Sequence, residues 1–232
     1  MKTALFNLLA LLALLASGHG QLSLGSLDIP PTGSLEASPR LVRAGTFPNL
    51  DWEINHPEVI DVVTIPPTNE IIPKSDLTMK VRVLGSAVSD SRRYYDTQLW
   101  YKINGGWNWS FLFQGQHLEV DPGEVVLSRV VEENDVIQFG GRYYNRYWQT
   151  FFYSGTDTPN VLALKNGEAV PETHAPSYYQ STVESFLAPY LDENRRISIG
   201  PRDVILLFEL THTDTTHWGF DMQDLVVLVT FE

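Results

Sequence analysis

The chain has 232 residues, 28 of them acidic and 16 basic, so it carries a formal charge of −12; it contains no cysteine, and 43% of its residues are apolar. That acid excess repels phosphate polymers and anionic lipid, which argues against nucleic acid or a membrane surface as partner. Without cysteine there are no disulfides, no thiolate chemistry and no acylated cysteine to anchor a lipoprotein, so an apolar core has to hold the fold by itself.

Residues 1–20 follow the pattern of a secretory signal peptide: Lys2, an apolar run over 8–16, then the mostly small residues Ser17, Gly18, His19 and Gly20. The run is too short to cross a bilayer as a stable helix. The product is therefore expected to start near Gln21 and to be secreted, held at the cell surface or periplasmic, with no membrane insertion. Residues 21–39 hold Gly25, Pro30, Pro31, Gly33 and Pro39 among Ser and Leu, a composition that predicts an extended linker. Residues 40–232 are then the folded part, as one domain or two subdomains.

From residue 40 onward the pattern alternates. Leu50, Trp52 and Ile54 fall on one side, and Leu77, Met79, Val81 and Val83 repeat the period of a half-buried strand. Asn104-Gly105 and Asn166-Gly167 predict two tight hairpins, because Asn and Gly tolerate the positive φ such turns need. Further strands are expected over 59–65, 125–131, 136–139, 149–153, 204–210 and 225–231. Short strands punctuated by turn residues along the whole chain predict an all-β antiparallel sandwich, immunoglobulin-like or jelly-roll. One stretch differs. Ser181 with Glu184 forms a capping box, and Val183, Phe186, Leu187, Tyr190 and Leu191 share a helical face, so a short helix is expected near 181–191, distorted by Pro189 and lying over one sheet.

The stretch LVRAGTFPNLDWEI with the later VIDVVTI, within residues 41–65, resembles the opening strands of bacterial extracellular immunoglobulin-like domains. The resemblance implies a Gly turn before a strand whose Trp packs between two sheets, and it implies no particular function.

Candidate chemistry concentrates near the C-terminus. Glu209 stands at the exit of one predicted strand, and Asp221 and Asp224 stand at the entrance of the next, so antiparallel pairing would bring three carboxylates together. Converging carboxylates repel one another, and a hard cation with oxygen ligands relieves that repulsion, which makes structural Ca²⁺ the candidate cofactor. The plainer reading is solvated strand-end charge. The segments FEL at 208–210 and GFDMQDLVV at 219–227 resemble the ending of LruC-type secreted domains, F-E-D followed by D-x-D-[FY]-N-D-[LV]-V-V. That resemblance implies an exported module, stabilised by calcium, with Glu209, Asp221 and Asp224 as ligands. Leu210 and Gly219 depart from it where two acids are expected.

Three other sets compete. Asp192, Glu193, Asn194 and Asp203 have part of the rhythm of a calcium loop, but Arg196 and Ile197 stand where an acid and a Gly belong, and a turn explains them as well. His212, Asp214 and His217 offer three zinc-type ligands in what also reads as a plain polar loop. Aromatic residues form two groups. Trp107, Trp109, Phe111 and Phe113 alternate as an inward-facing strand would. In RYYNRYW at 142–148, polar residues interleave the rings, so Tyr144, Tyr147 and Trp148 are candidate ligand-binding residues for a sugar or a protein surface.

No G-x-S-x-G elbow, H-E-x-x-H helix, phosphate-binding glycine loop or catalytic cysteine is present. The leading expectation is a secreted, non-catalytic sandwich that binds or assembles at the cell surface, its partner a protein or a glycan. A carbohydrate-binding module using exposed aromatics is the alternative. A secreted glycoside hydrolase, which would need two opposed carboxylates in a cleft, comes third.

Overall fold

The computed structural model describes residues 32–37, 50–55, 58–90, 92–173 and 183–232. In chain order its elements are β1 (Thr32–Ala37), β2 (Leu50–Asn55), one helical turn α1 (Val59–Val62), β3 (Val63–Thr64), β4 (Ile72–Pro73), β5 (Leu77–Ser86) and β6 (Thr97–Ile103). There follow β7 (Ser110–Gly115), β8 (Leu127–Val131), β9 (Ile137–Asn145), β10 (Tyr147–Trp148), β11 (Phe152–Tyr153), β12 (Val161–Leu164), α2 (Val183–Leu187), β13 (Asp203–Phe208) and β14 (Leu225–Phe231). Every described ladder is antiparallel, and the architecture is the predicted all-β sandwich with a short helix.

The back sheet runs β12-β13-β14-β5-β8 and the front sheet β10-β9-β6-β7, with β11 also on β9. Between them lies the main core. Met79, Val81 and Val83 of β5, Leu206 and Phe208 of β13, and Val227, Val229 and Phe231 of β14 face Leu99 of β6 and Ile137 and Phe139 of β9. Each such side chain, fully removed from water, contributes about 1.5–3 kcal/mol. At one end the buried hydroxyls of Ser86 and Thr97 join the sheets through a 2.8 Å hydrogen bond.

The sequences of β13 and β14 do not alternate, and the structure shows why. Ile205, Leu207, Val226 and Leu228 point away from the main core into a second one, closed by Leu187 of α2 and by Ile197, Phe220 and Met222. A strand covered on both faces has no polar side. Helix α2 ends as expected: Pro189 supplies no N–H, and the chain tightens into a 3₁₀ turn over Ala188–Tyr190. Phe186 lies directly on Gly85 of β5, where any Cβ would collide with its ring.

Several expectations are corrected. Residues 59–62, expected in a strand, form α1, because the Glu58 N–H is capped by Asp61 Oδ2 (2.8 Å) and Lys74 Nζ donates to the Ile60 carbonyl (2.5 Å). Local capping outweighs the β preference of Val and Ile here. The Asn104-Gly105 turn is present, with φ of 55° and 63°, but Asn166-Gly167 makes no hairpin. Strand β12 pairs with β13 instead, and the turn is tied to a distant segment by Gly167 N–H to the Ile197 carbonyl (2.7 Å) and Ile199 N–H to Asn166 Oδ1 (3.1 Å).

The aromatic alternation at 107–113 does not face inward: Trp107 is fully exposed and Phe111 is 51% exposed, whereas Phe113 packs on the main core. The cause is a bulge between β6 and β7. Leu99 pairs with Phe113 but Trp100 pairs with Phe111, so Leu112 is an extra residue that puts Phe111 and Phe113 on opposite faces.

Residues 32–37, inside the stretch expected as linker, form β1 and pair with β2. The stretch expected as signal peptide, the Gly turn expected before β2 and Ser181 of the expected capping box lie outside the described residues. Among the described residues no helix is long and apolar enough to cross a membrane.

Candidate functional site

The register Phe208↔Leu225 brings the end of β13 against the start of β14, and Glu209, Asp221 and Asp224 do come together there, 0%, 3% and 2% exposed. They are not solvated charges. Glu209 Oε1 accepts from the Thr211 N–H (2.8 Å), the Thr211 hydroxyl (2.5 Å) and the His212 N–H (2.9 Å), while its Oε2 accepts from the Asp221 N–H (2.9 Å). Asp224 Oδ2 accepts from the Leu210 N–H at 2.6 Å, and Asp221 Oδ2 from Gln223 Nε2 at 2.7 Å. Asn160 Nδ2 clamps the Glu209 and His212 carbonyls (2.8 and 2.6 Å). Together these bonds pin the loop between β13 and β14.

Burial, followed by repulsion from Glu209 and Asp221, holds the Asp224 carboxyl well above the usual carboxylate range, and in its protonated form it hydrogen-bonds Glu209. Protonation of Asp224 would relieve part of the repulsion for which a cation was expected. The donor set is all oxygen, as calcium requires, and Gln223 Oε1 is buried beside Asp221 with no hydrogen-bond partner. Among the described residues, however, no group of three His, Asp or Glu side chains closes around one point at metal-holding distance. Leu210, at the position of the signature Asp, is 1% exposed and belongs to the main core.

The competing polar sets are built as turns. Asp192 Oδ1 accepts from the Asn194 and Arg196 N–H groups, both at 2.8 Å, and Asp203 Oδ2 from the Gly200 N–H at 3.0 Å. His212 and His217 stack at 3.9 Å, with the Nδ1 of His217 accepting from the Gly219 N–H, and Asp214 Oδ1 binds the Thr216 N–H and hydroxyl.

Of the aromatic candidates, Tyr144 and Trp148 lie on the outer face of the front sheet, whereas Tyr147, paired with Asn145, falls on the opposite side at the sheet's edge. Tyr144 and Tyr147 are 43% and 68% exposed, Trp148 is half-buried, and the rings of Tyr144 and Trp148 meet edge to face at 5.2 Å. Arg142 extends this set inward, its guanidinium 4.9 Å from the Trp148 ring and 5.7 Å from that of Trp100. Beyond it, Trp100 packs on Phe111, and Trp109 packs on Phe151 and Tyr153, all edge to face at 4.8–5.5 Å. Trp100, Trp109, Arg142 and Phe151 line an open groove of about 270 Å³.

Its floor is Gly140, on which Phe151 lies so closely that a Cβ would occupy the ring's place. A strip of amides runs alongside: Gln98 Oε1 accepts from Trp100 Nε1 (3.1 Å) and Arg142 Nε (2.9 Å), Gln98 Nε2 donates to Gln114 (2.8 Å), and Gln114 and Gln116 donate to Asp96.

Sequence reasoning missed Trp100, Trp109, Phe111, Phe151, Gln98 and Lys102 as site residues. The bulge hid the parity of Phe111. Phe151 joins the groove only because β11 returns onto β9, with Tyr153 opposite Gly140. A second, polar groove of about 630 Å³ adjoins Tyr147 and is lined by Asp90, Arg92, Arg93, Tyr95, Asn145, Arg146 and Gln149. The aromatic groove has no carboxylate in its lining and the polar one has Asp90 alone, so neither presents the acid pair of a glycoside hydrolase.

Compared with known proteins, the chain matches no family model, no curated protein and no solved structure. The class the fold defines is an all-β antiparallel sandwich.

Proposed function

We propose that this protein is an exported, non-catalytic binding module that holds a glycan on the outer face of its front sheet. The observation that carries the reading is the groove of Trp100, Trp109, Phe151 and Arg142 beside a strip of fixed amides. Aromatic rings cover the C–H face of a pyranose, and planar amide and guanidinium groups satisfy its hydroxyls. The export half of the reading rests on the N-terminal pattern of residues 1–20. Affinity electrophoresis against a panel of neutral and acidic polysaccharides tests it. Trp109→Ala is expected to weaken capture about tenfold, the loss of roughly 1.4 kcal/mol. Capture unchanged by Trp109→Ala and by Trp148→Ala, or self-association with no glycan bound, overturns it.

A structural calcium ion at Glu209, Asp221 and Asp224 is a second reading, favoured by the unpartnered Gln223 Oε1 among the three acids. It would pin the loop before β14 and play no part in chemistry. Millimolar calcium added to chelated protein is then expected to raise Tm by about 5–10 °C, as binding to the native state alone requires. An unchanged melt rejects it.

A further inference from the structure

The outer face of the front sheet carries charge as well as rings. In a chain with 28 acids and 16 bases, a cation is expected to find a carboxylate. Elsewhere some do, as Lys80 with Glu232 at 2.6 Å and Lys165 with Glu168 at 3.3 Å. Others, such as Arg82, Arg129 and Arg196, find none among the described residues, and the cations beside the aromatic groove are of this second kind. Among the described residues, no carboxylate lies within ion-pair distance of Arg142, Lys102, Arg92 or Arg146.

Arg142 is fixed by neutral partners. Its Nε donates to Gln98 Oε1 at 2.9 Å, an oxygen itself oriented by Trp100 Nε1, and its guanidinium rests between the Trp100 and Trp148 rings. Its two terminal nitrogens are left without a hydrogen-bond partner among the described residues, in the fork that matches a planar anion. Lys102 sits over the far side of the same cluster, Nζ 4.6 Å from the Trp109 ring and 5.3 Å from that of Tyr153.

The separate polar groove at Tyr147 holds Arg92, Arg93 and Arg146 together with Asp90, and there Arg93 is engaged by Tyr95 and by the charge of Asp90. The acids nearest to these cations are committed. Asp90 accepts from the Arg92 and Arg93 N–H groups and from the Tyr95 hydroxyl, and Asp96 accepts from Gln114 and Gln116. The bond from Tyr95 also keeps the Asp90 carboxyl below its usual range, so it stays ionised and turned into its own loop.

Resting on the glycan reading above, we infer that the ligand is an acidic glycan. Its sugar rings stack on Trp100, Trp109 and Phe151, and its carboxylate or sulfate groups meet Arg142 and Lys102. A neutral sugar would leave two oriented cations unanswered in the middle of its own site, whereas an anionic chain answers each one. A protein of net charge −12 that binds an acidic polymer needs positive groups where the polymer lies, and at this groove Arg142 and Lys102 supply them.

The test uses the full exported chain and matched ligands: polygalacturonate and alginate, their methyl esters, a sulfated galactan and the neutral galactan. Capture of the acidic polymers is expected to exceed that of the esters and the neutral galactan at least tenfold, to weaken with added salt, and to lose that preference in Arg142→Gln and Lys102→Met. Comparing uronate with sulfate identifies which anion is read, and preference for either supports the inference. Equal capture of ester and acid overturns it while leaving the glycan reading intact. No capture of any polysaccharide overturns both. Preference for acid that survives both substitutions overturns the placement. Salt-sensitive self-association abolished by Arg142→Gln, with no glycan bound, assigns the face to a second copy of the chain and overturns it too. Thermal melts of both variants, expected within a degree or two of the parent, separate loss of binding from loss of fold.

Discussion

The two sheets solve opposite problems. The back sheet is covered on both faces: the front sheet packs on one side of it, and α2 with the segments around Ile197 and Phe220 packs on the other. Among the described residues the front sheet is covered on one face only, and the other carries Trp100, Trp109, Phe111 and Phe151 around an open groove. Apolar surface is thus used for stability in one sheet and left available in the other. A glycine under an aromatic ring occurs in both, Gly85 under Phe186 and Gly140 under Phe151, but the first seats a helix and the second shapes a groove.

The sharpest way to break this contrast is to truncate one aromatic from each sheet. Phe208→Ala, at a position with no exposure, is expected to lower the unfolding free energy by about 3–5 kcal/mol in urea titrations. Phe111→Ala, half-exposed on the front face, is expected to cost no more than about 0.5–1 kcal/mol. Equal losses would make the front face a structural surface.

The paired glycines give an intermediate effect. Gly85→Ala pushes Phe186 off β5 and is expected to cost about 1–3 kcal/mol while leaving ligand capture unchanged. Gly140→Ala displaces Phe151 and is expected to weaken capture more than stability, read by affinity electrophoresis beside a thermal melt. The reverse ranking would exchange the roles of the two sheets.

The smallest effect is a slope, at the acid lattice where the sheets meet. Asp224 lies close enough to Tyr143 of β9 that its charge, after burial, helps hold that phenol above its usual range. Because the folded chain holds the Asp224 proton more tightly than the unfolded chain, its contribution to stability is complete below the ordinary carboxylate range. That contribution is lost as pH rises through the raised folded value. In chelator, the parent is therefore expected to lose stability from about pH 4 upward, and Asp224→Asn, whose amide keeps both hydrogen bonds, is expected to flatten that decline. Parallel profiles for the two would show that this carboxyl does not titrate between them.

Much of the back sheet was legible from sequence, because local period and end signals suffice for it. The continuous apolar run of β14 coincides with the strand predicted at 225–231, the 181–191 segment contains α2 and its proline-tightened end, and the Asn104-Gly105 turn follows from φ preferences alone. The gathering of Glu209, Asp221 and Asp224 also followed, since two strands joined by one loop place their facing ends together. Less visible was how many N–H donors, within the described residues, already engage these carboxylates.

The front face is where sequence reading fell short. Tyr144, Tyr147 and Trp148 were found by composition, but their neighbours were not, for reasons that period-2 reasoning does not contain. One extra residue at Leu112 reverses the side on which Phe111 falls, and Phe151 reaches the groove only when β11 folds back over Gly140. By itself, then, the sequence determined the all-β class, the strands with strong local patterning, the helix and the meeting of the three acids, because these depend on interactions between residues near in the chain or joined by one turn. Only the tertiary structure decided which aromatics are left uncovered and which cations stand among them, because register between distant strands chooses the face on which every side chain lies.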